Sequence, residues 1–195
     1  MTLLDLSASG SRRLLDDASG TIDYTPDFLP PHTARQWLET LATTIPWRAG
    51  TRTMYEREVD VPRLRAHYRA DDPALPAPLG EALARVGAAT GTAYDSLGLN
   101  LYRDQHDSVA PHNDKLADLV KGEPIALLSL GDTRRLVIRA KLPPRRVLHV
   151  DMQAGSLLVM SWTTQLHYDH GIPKERHPTG PRISIAFRVR GGAWD

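Results

Sequence analysis

The second half of the chain contains six short runs of β-type residues, and this succession most constrains the possible folds. The runs follow Gly91 and are separated by Gly, Pro and Asp, residues that favour turns. In order they read SLGLNLYR, PIALLSLG, RRLVIRA, RRVLHVDM, GSLLVMSW and RISIAFRVR. So many short strands without intervening helices predict a β-sandwich or a jelly roll rather than alternating βαβ units.

Two helices are predicted before these strands. The segment PPHTARQWLETLATTI, residues 30–45, starts with two prolines, offers Thr33 as a cap and carries an apolar stripe that includes Trp37 and Leu41. The segment PLGEALARVGAATG, residues 78–91, has an apolar side and ends at Gly91. We therefore expect an α+β chain that is mainly β, with two N-terminal helices leading into an all-β body.

Length and composition favour one globular domain. The chain has 195 residues, of which 41% are hydrophobic and 24% charged, as in ordinary water-soluble domains. We expect a single domain over residues 1–195, with the helices in 1–90 and the β core in 91–190. The apolar runs are far shorter than the roughly 20 residues of a membrane span, and the N-terminus lacks the order of a signal peptide. These features predict a cytoplasmic protein without a membrane partner.

The sequence contains no cysteine, which excludes disulfides, thiolate metal sites and cysteine nucleophiles. Any metal must then be bound by nitrogen and oxygen atoms, which favours iron, manganese or zinc.

A candidate metal site begins in NLYRDQHDSVAPHND, residues 100–114. On an extended strand the spacing of two between His112 and Asp114 directs both side chains to one face. A third ligand is available from His167 or His170 in the segment QLHYDHGIP. Two histidines and a carboxylate form the facial triad of non-haem Fe(II) oxygenases, although zinc with one water is an alternative for the same set.

The last strand, PRISIAFRVR, places polar side chains on one face. Arg182, Ser184 and Arg188 stand at even spacings, and the residues between them are apolar. Arginines on a face that would otherwise be core need an anion, and a dicarboxylate cofactor would provide one. Pairing with Asp or Glu side chains, or a hydrated face, are the alternatives.

These motifs together resemble the AlkB family of Fe(II)/2-oxoglutarate dioxygenases. The resemblance extends from about residue 100 to 188 and keeps the order of the family's blocks: NLYR…HND, PIALLSLGDTRRLVIR, GSLLVM, QLHYDHGIPK and PRISIAFR. It implies a double-stranded β-helix, or jelly roll, buttressed by the two helices, with a substrate lid within residues 1–90. It also implies Fe(II) and 2-oxoglutarate as cofactors and O2 as a co-substrate.

The resemblance assigns roles to individual residues. The implied iron ligands are His112, Asp114 and His170. The implied contacts to 2-oxoglutarate are Arg182 at the distal carboxylate, Arg188 near the iron, and Asn100, Tyr102 and Ser184. Ser184 stands where the family usually has Asn.

The implied reaction is oxidative demethylation of an N-alkylated base in DNA or RNA, releasing succinate, CO2 and formaldehyde. The base would be held between His112 and an aromatic side chain, for which the candidates are His67, Tyr68 and Tyr55. The phosphates would contact a basic cluster, namely Arg134, Arg135, Arg139, Lys141, Arg145 and Arg146.

One departure bears on the substrate, because Lys115-Leu116 replaces the acidic pair usual after the His-x-Asp motif. A hydroxylase of a small molecule or protein is therefore an alternative, and a non-enzymatic scaffold is a third. We expect a monomer.

Overall fold

The structure is a computed structural model that describes residues 10–54 and 57–191, without the side chains of residues 51–60. Its helices are α1 (Pro31–Thr44), α2 (Ala77–Thr90), α3 (Thr164–His167) and a 3-10 helix (Leu116–Asp118). Its strands are β1 (Arg12–Asp17), β2 (Gly20–Thr25), β3 (Thr51–Met54), β4 (Arg57–Asp60), β5 (Leu64–Arg69), β6 (Ser96–Tyr102), β7 (Val109–His112), β8 (Ile125–Gly131), β9 (Arg134–Ala140), β10 (Val147–Met152), β11 (Leu157–Met160), β12 (Tyr168–Ile172) and β13 (Arg182–Arg188).

The strands form two main antiparallel sheets and a hairpin. The large sheet has the order β1-β2-β11-β8-β13-β6-β5, and the small sheet has the order β10-β9-β12-β7. Strands β3 and β4 pair only with each other among the described residues. The expectation of a mainly β chain with few helices is confirmed.

The large sheet is buried on both faces. One face packs against α1 and α2 in a first core that includes Leu41, Val86 and Ile185. The other face meets the small sheet in a second core that includes Ala186 and Ile138. Alternation along β13 explains the division, because successive side chains of a strand point to opposite faces.

The helix ends follow from proline and glycine. Helix α1 begins at Pro31, three residues earlier than a Thr33 cap requires, and no side chain caps it. The expected cap is therefore wrong: proline suits the first helical position, since its missing N–H has no helical partner there. Helix α2 ends at Gly91, whose φ of 70° is the left-handed conformation that glycine adopts without strain.

The sequence did not predict the N-terminal hairpin of β1 and β2. It is joined to the rest of the large sheet through β2, which pairs with β11 some 135 residues later. The β pattern of the hairpin is weak, because β1 carries charges at four of six positions. The place of the hairpin in the large sheet depends on the distant strand β11. No helix in residues 10–54 or 57–191 is both long and apolar enough to cross a membrane.

Candidate active site

Two histidines meet where β7 pairs with β12. His112 lies directly opposite His170 in the antiparallel register, and their ring centroids are 4.6 Å apart. The close approach depends on Gly171, because a Cβ there would lie 2.8 Å from the Val109 carbonyl oxygen and 3.0 Å from the Pro111 nitrogen. The pairing therefore places two imidazoles from distant segments side by side.

Both rings can offer a nitrogen lone pair. His112 Nδ1 lies 3.0 Å from the carbonyl oxygen of Ala110. A carbonyl only accepts, so Nδ1 carries the proton and Nε2 remains a potential ligand. His170 is buried, and burial, followed by the nearby His112, lowers its pKa to about 4. His170 is therefore neutral at pH 7, the form that coordinates metals.

Asp114 is held from two directions. Its carboxylate accepts hydrogen bonds from Arg188 Nε at 3.0 Å and Nη2 at 2.8 Å. Its backbone N–H donates to Oε1 of the buried Gln165 at 3.1 Å. Burial opposes ionisation of Asp114, but the Arg188 guanidinium outweighs it and holds the pKa of this carboxyl below its usual value. Gln165, which the motifs gave no reason to select, thus ties the His-x-Asp segment to α3.

The three predicted ligands are neighbours but are not yet arranged around a common point. No group of three His, Asp or Glu side chains within the described ranges is positioned to hold a metal ion. Both oxygens of the Asp114 carboxylate are bonded to Arg188. His167 is exposed at the end of α3.

Arg182 is a buried cation with spare hydrogen-bonding capacity. Its side chain is 2% exposed, its Nε donates to Ser129 Oγ at 2.9 Å, and its guanidinium carbon lies 5.3 Å from the Tyr102 ring centroid. Nη1 has no hydrogen-bond partner among the described residues. Burial lowers the pKa of Arg182 to about 10, so the group stays charged at neutral pH. A buried donor of this kind fits a carboxylate ligand.

The other predicted cofactor contacts line the same face. Ser184 pairs with Asn100 on one side and Ser129 on the other, and Arg182 pairs with Tyr102. The polar face predicted for β13 is thus turned toward the space between the sheets. The apolar residues on the other face, Ile183, Ile185 and Phe187, pack in the first core, as the alternation predicted.

Arg63 is a site residue that sequence reasoning missed. Its Nε donates to Asn100 Oδ1 at 2.7 Å. It lies in the loop before β5, where no motif distinguishes it from other surface arginines.

The basic cluster expected to contact phosphates is largely engaged within the protein. Arg134 is fully buried and donates to the carbonyl oxygens of Asp104, Asp107 and Pro173 at 2.7–3.0 Å. Its assignment to phosphate is therefore wrong, because no nucleic acid can reach it. The other internal contacts are Arg135 with Asp151, Arg146 with Asp17, and Lys141 with the Gln165 carbonyl.

A cleft of about 780 Å³ opens onto His112, Asp114 and Arg188. Of the predicted aromatic candidates, His67 and Tyr68 border it on β5. The strand directs them to opposite faces: His67 pairs with Gly98 on the site face, whereas Tyr68 packs against the first core. Burial and the charges of Arg190 and Arg188 lower the pKa of His67. Tyr55 lies outside the described residues.

The same cleft contains a carboxylate near the place where the acidic pair is missing. Asp118 ends the 3-10 helix that follows Lys115 and borders the cleft. The short helix brings this side chain back toward the site, which spacing along an extended chain would not predict.

Comparison with known proteins agrees with this arrangement. A family model described as the 2OG-Fe(II) oxygenase superfamily matches residues 21–188. The human alpha-ketoglutarate-dependent dioxygenase alkB homolog 3 is 31% identical over 193 residues, covering 87% of this chain and 68% of that protein. The chain belongs to the AlkB family.

A second AlkB-family relative is matched over a shorter span. The bovine DNA oxidative demethylase ALKBH2 is 34% identical over 111 residues, covering 53% of this chain and 40% of that protein. As an AlkB-family member the chain is an Fe(II)/2-oxoglutarate-dependent dioxygenase. The donor set of two imidazoles and a carboxylate fits Fe(II), and the open donor of Arg182 fits an acid such as 2-oxoglutarate.

Proposed function

We propose that this chain oxidatively demethylates N-alkylated bases in DNA or RNA. The observation that carries the proposal is the cleft, which is large enough for a nucleobase and opens directly onto the exposed His112. The relatives support it, since one is named a DNA oxidative demethylase. O2 and 2-oxoglutarate are the co-substrates.

The proposed metal ligands are His112, Asp114 and His170. Bound Fe(II) supplies the oxidation, in which O2 converts 2-oxoglutarate to succinate and CO2 while a methyl C–H becomes hydroxylated. The hydroxymethyl group on nitrogen then leaves as formaldehyde and frees the base.

The chain's own residues bind and orient the reactants. Arg182 would hold the distal carboxylate of 2-oxoglutarate through its open Nη1, with Tyr102 packed beside the guanidinium. Asn100 and Ser184 lie along the same face and would contact the cofactor. Arg188 would remain near the metal end, where its bond to Asp114 orients the carboxylate.

The substrate base would lie between His112 and a side chain of β5. The outward direction of His67 favours it over Tyr68 for this contact, and Tyr55 stays a candidate. Asp118 would supply the acidic group that Lys115-Leu116 does not.

We further propose that the two facing sheets form a double-stranded β-helix, with residues 1–195 as one monomeric domain. The two cores support this: helices α1 and α2 share one with the large sheet, and the sheets share the other. In this division, residues 1–90 contain the two helices and the substrate lid, and residues 91–190 contain the catalytic core.

Anaerobic reconstitution tests the proposed function. The protein is loaded with Fe(II) and 2-oxoglutarate, mixed with O2, and assayed for succinate and formaldehyde with and without an oligonucleotide containing 1-methyladenine or 3-methylcytosine. We expect equal yields of both products with the methylated strand. His112→Ala should abolish both, whereas the matched change His106→Ala, at an exposed histidine outside the site, should not.

Other outcomes would redirect the proposal. Succinate without formaldehyde, unaffected by any nucleic acid, would favour a small-molecule or protein substrate. No succinate from protein that has bound the metal and 2-oxoglutarate would contradict the enzyme assignment.

A further inference from the structure

A second cleft joins the first at the candidate active site. It has a volume of about 570 Å³ and lies over the outer side of the small sheet, where Val137, Arg139 and Gly171 line it. The two clefts share His112 and also Arg63 and Arg65. The two clefts therefore adjoin at His112, and together we call them the joined groove.

The joined groove is strongly basic. Among the residues whose side chains the structure describes, those that line the second cleft include Arg63, Arg65, Arg139 and Lys174 but no Asp or Glu. The first cleft adds Arg48, Lys115 and two further arginines, against Asp114 and Asp118 as its acidic residues. Asp114 is already paired with Arg188, which leaves a net positive surface on both sides of His112.

Arg65 projects over the junction from an edge strand. It pairs with Asn100 on the site face of β5 and is exposed. Its guanidinium lies against the backbone of Gly50, where a Cβ would be 3.2 Å from the Arg65 Cζ. The absence of a side chain at Gly50 thus gives this guanidinium its position.

Arg139 and Lys174 extend the positive surface away from the site. Both are exposed, Arg139 on β9 and Lys174 just after β12. Arg135 and Arg146, by contrast, are in ion pairs with Asp151 and Asp17. Of the cluster that the sequence suggested, Arg139 is the member that borders the joined groove.

We propose that the joined groove is the path of a nucleic-acid strand, with the target base at His112 and phosphates on Arg48 and Arg65 on one side and on Arg139 and Lys174 on the other. The proposal rests on the proposed function and names the surface that binds the flanking nucleotides. Basic side chains on both sides of His112, which outnumber Asp114 and Asp118, suit a polyanion that passes through, rather than a compact metabolite held at one end.

Salt dependence of binding tests the path. Binding of a labelled, unmodified single strand of about 15 nucleotides is measured by anisotropy from about 50 to about 200 mM salt. Log K falls as log salt rises, and each lost phosphate contact reduces the magnitude of this slope by about 0.7 for a single strand. We expect a decrease of about 1.4 for Arg139→Gln/Lys174→Gln, and the same for Arg48→Gln/Arg65→Gln.

Arg145→Gln is the matched control. Arg145 is exposed and belongs to the cluster suggested by sequence, but it does not border the joined groove. Its slope should equal that of the unaltered protein. Unchanged slopes in both double variants, or a larger effect of Arg145→Gln, would overturn the path, provided that thermal melting shows each variant folded.

Two comparisons separate this inference from the proposed function. Formaldehyde from a methylated strand, with slopes unchanged in both double variants, would leave the demethylase and remove the path. Altered slopes without formaldehyde from any methylated strand would keep the path and reject the demethylase. Equal binding of an acidic polypeptide, with the same dependence on Arg139 and Lys174, would overturn nucleic acid as the partner.

Discussion

Two buried arginines lie beside the Tyr102 ring and differ in the hydrogen-bond partners of their guanidinium groups. The guanidinium carbons of Arg182 and Arg134 lie 5.3 and 5.6 Å from its ring centroid. Arg134 donates to three carbonyl oxygens, and its Nε, which makes no hydrogen bond among the described residues, lies 3.8 Å from a Glu175 carboxylate oxygen. Arg182 donates to Ser129 Oγ, lies beside Tyr102 and has an Nη1 without a hydrogen-bond partner among the described residues. The contacts of Arg134 are therefore internal, whereas the open Nη1 of Arg182 is able to bind a ligand.

Replacing each arginine by methionine separates the two roles. We expect Arg182→Met to lower the affinity for 2-oxoglutarate at least about tenfold, since a hydrogen bond to a charged group contributes about 1.5–3 kcal/mol. Its free energy of unfolding should stay within about 1 kcal/mol, because an incompletely paired buried cation adds little stability. Arg134→Met should destabilise more, because it removes the donor of three carbonyl oxygens and an unsatisfied buried acceptor costs about 1–3 kcal/mol. Calorimetric titration and urea unfolding measure both, and equal destabilisation of the two variants would contradict the distinction.

His170 makes the stability of the metal-free protein depend on pH. Its folded pKa of about 4 is below the ordinary value of 6.5, because burial and His112 oppose its protonation. Between these values the unfolded chain binds a proton that the folded chain does not. The contribution of neutral His170 to the free energy of unfolding is thus complete above pH 6.5. It is lost as the pH falls toward 4, by on the order of 2–3 kcal/mol.

Urea unfolding of chelator-treated protein at pH 7.5 and pH 4.5 measures this loss. His170→Asn should show a smaller loss over the same interval, and His149→Asn, at an exposed histidine, should behave as the unaltered protein. An identical pH dependence in all three proteins would exclude His170 as its source.

At the scale of elements, the pairing of β7 with β12 decides whether the two histidines meet. Gly171→Ala would place a methyl group 2.8 Å from the Val109 carbonyl, so β7 must move away. We expect weaker binding of Co(II), read from its visible absorption, with the fold retained. Gly80→Ala is the control, because its Cβ would touch only Leu75 at 3.9 Å and alanine favours the helix. Unchanged Co(II) affinity in Gly171→Ala would show that the close approach is not needed.

At this scale the sequence could predict features that depend on neighbouring residues, but not contacts between distant segments. Alternation along β13 is local, and it predicted that Arg182 and Ser184 share a face. The partners of Arg188 and Asn100 depend on tertiary approach: Asp114 is 74 residues away, and Arg63 comes from a loop without a motif. The face was therefore predictable, and the hydrogen bonds on it were not.

The whole molecule is organised around a sheet covered on both faces. Its strand order joins the N-terminal hairpin, β11 and the C-terminal strand β13. Local patterns could predict that strands exist, but this order depends on pairings between distant segments. The single-domain proposal follows from the shared cores, and it has a measurable consequence.

Leu41→Ala should weaken the whole molecule although Leu41 lies on α1. Leu41 is fully buried in the first core, and removing such a side chain costs about 2–5 kcal/mol. If one domain unfolds as a unit, far-UV circular dichroism and tryptophan fluorescence will show coincident transitions, shifted together. Thr43→Ala, at an exposed position of the same helix, should change the midpoint little. Separate transitions for the two signals would divide the chain into two domains.

The bond between Arg188 and Asp114 has a consequence for how the protein is produced. A carboxylate beside two imidazoles, left without a counter-charge, would depend on its metal for a stable structure. Here the counter-charge is part of the chain, so newly made protein can fold first and receive iron afterwards. We therefore expect folding and iron binding to be separable steps.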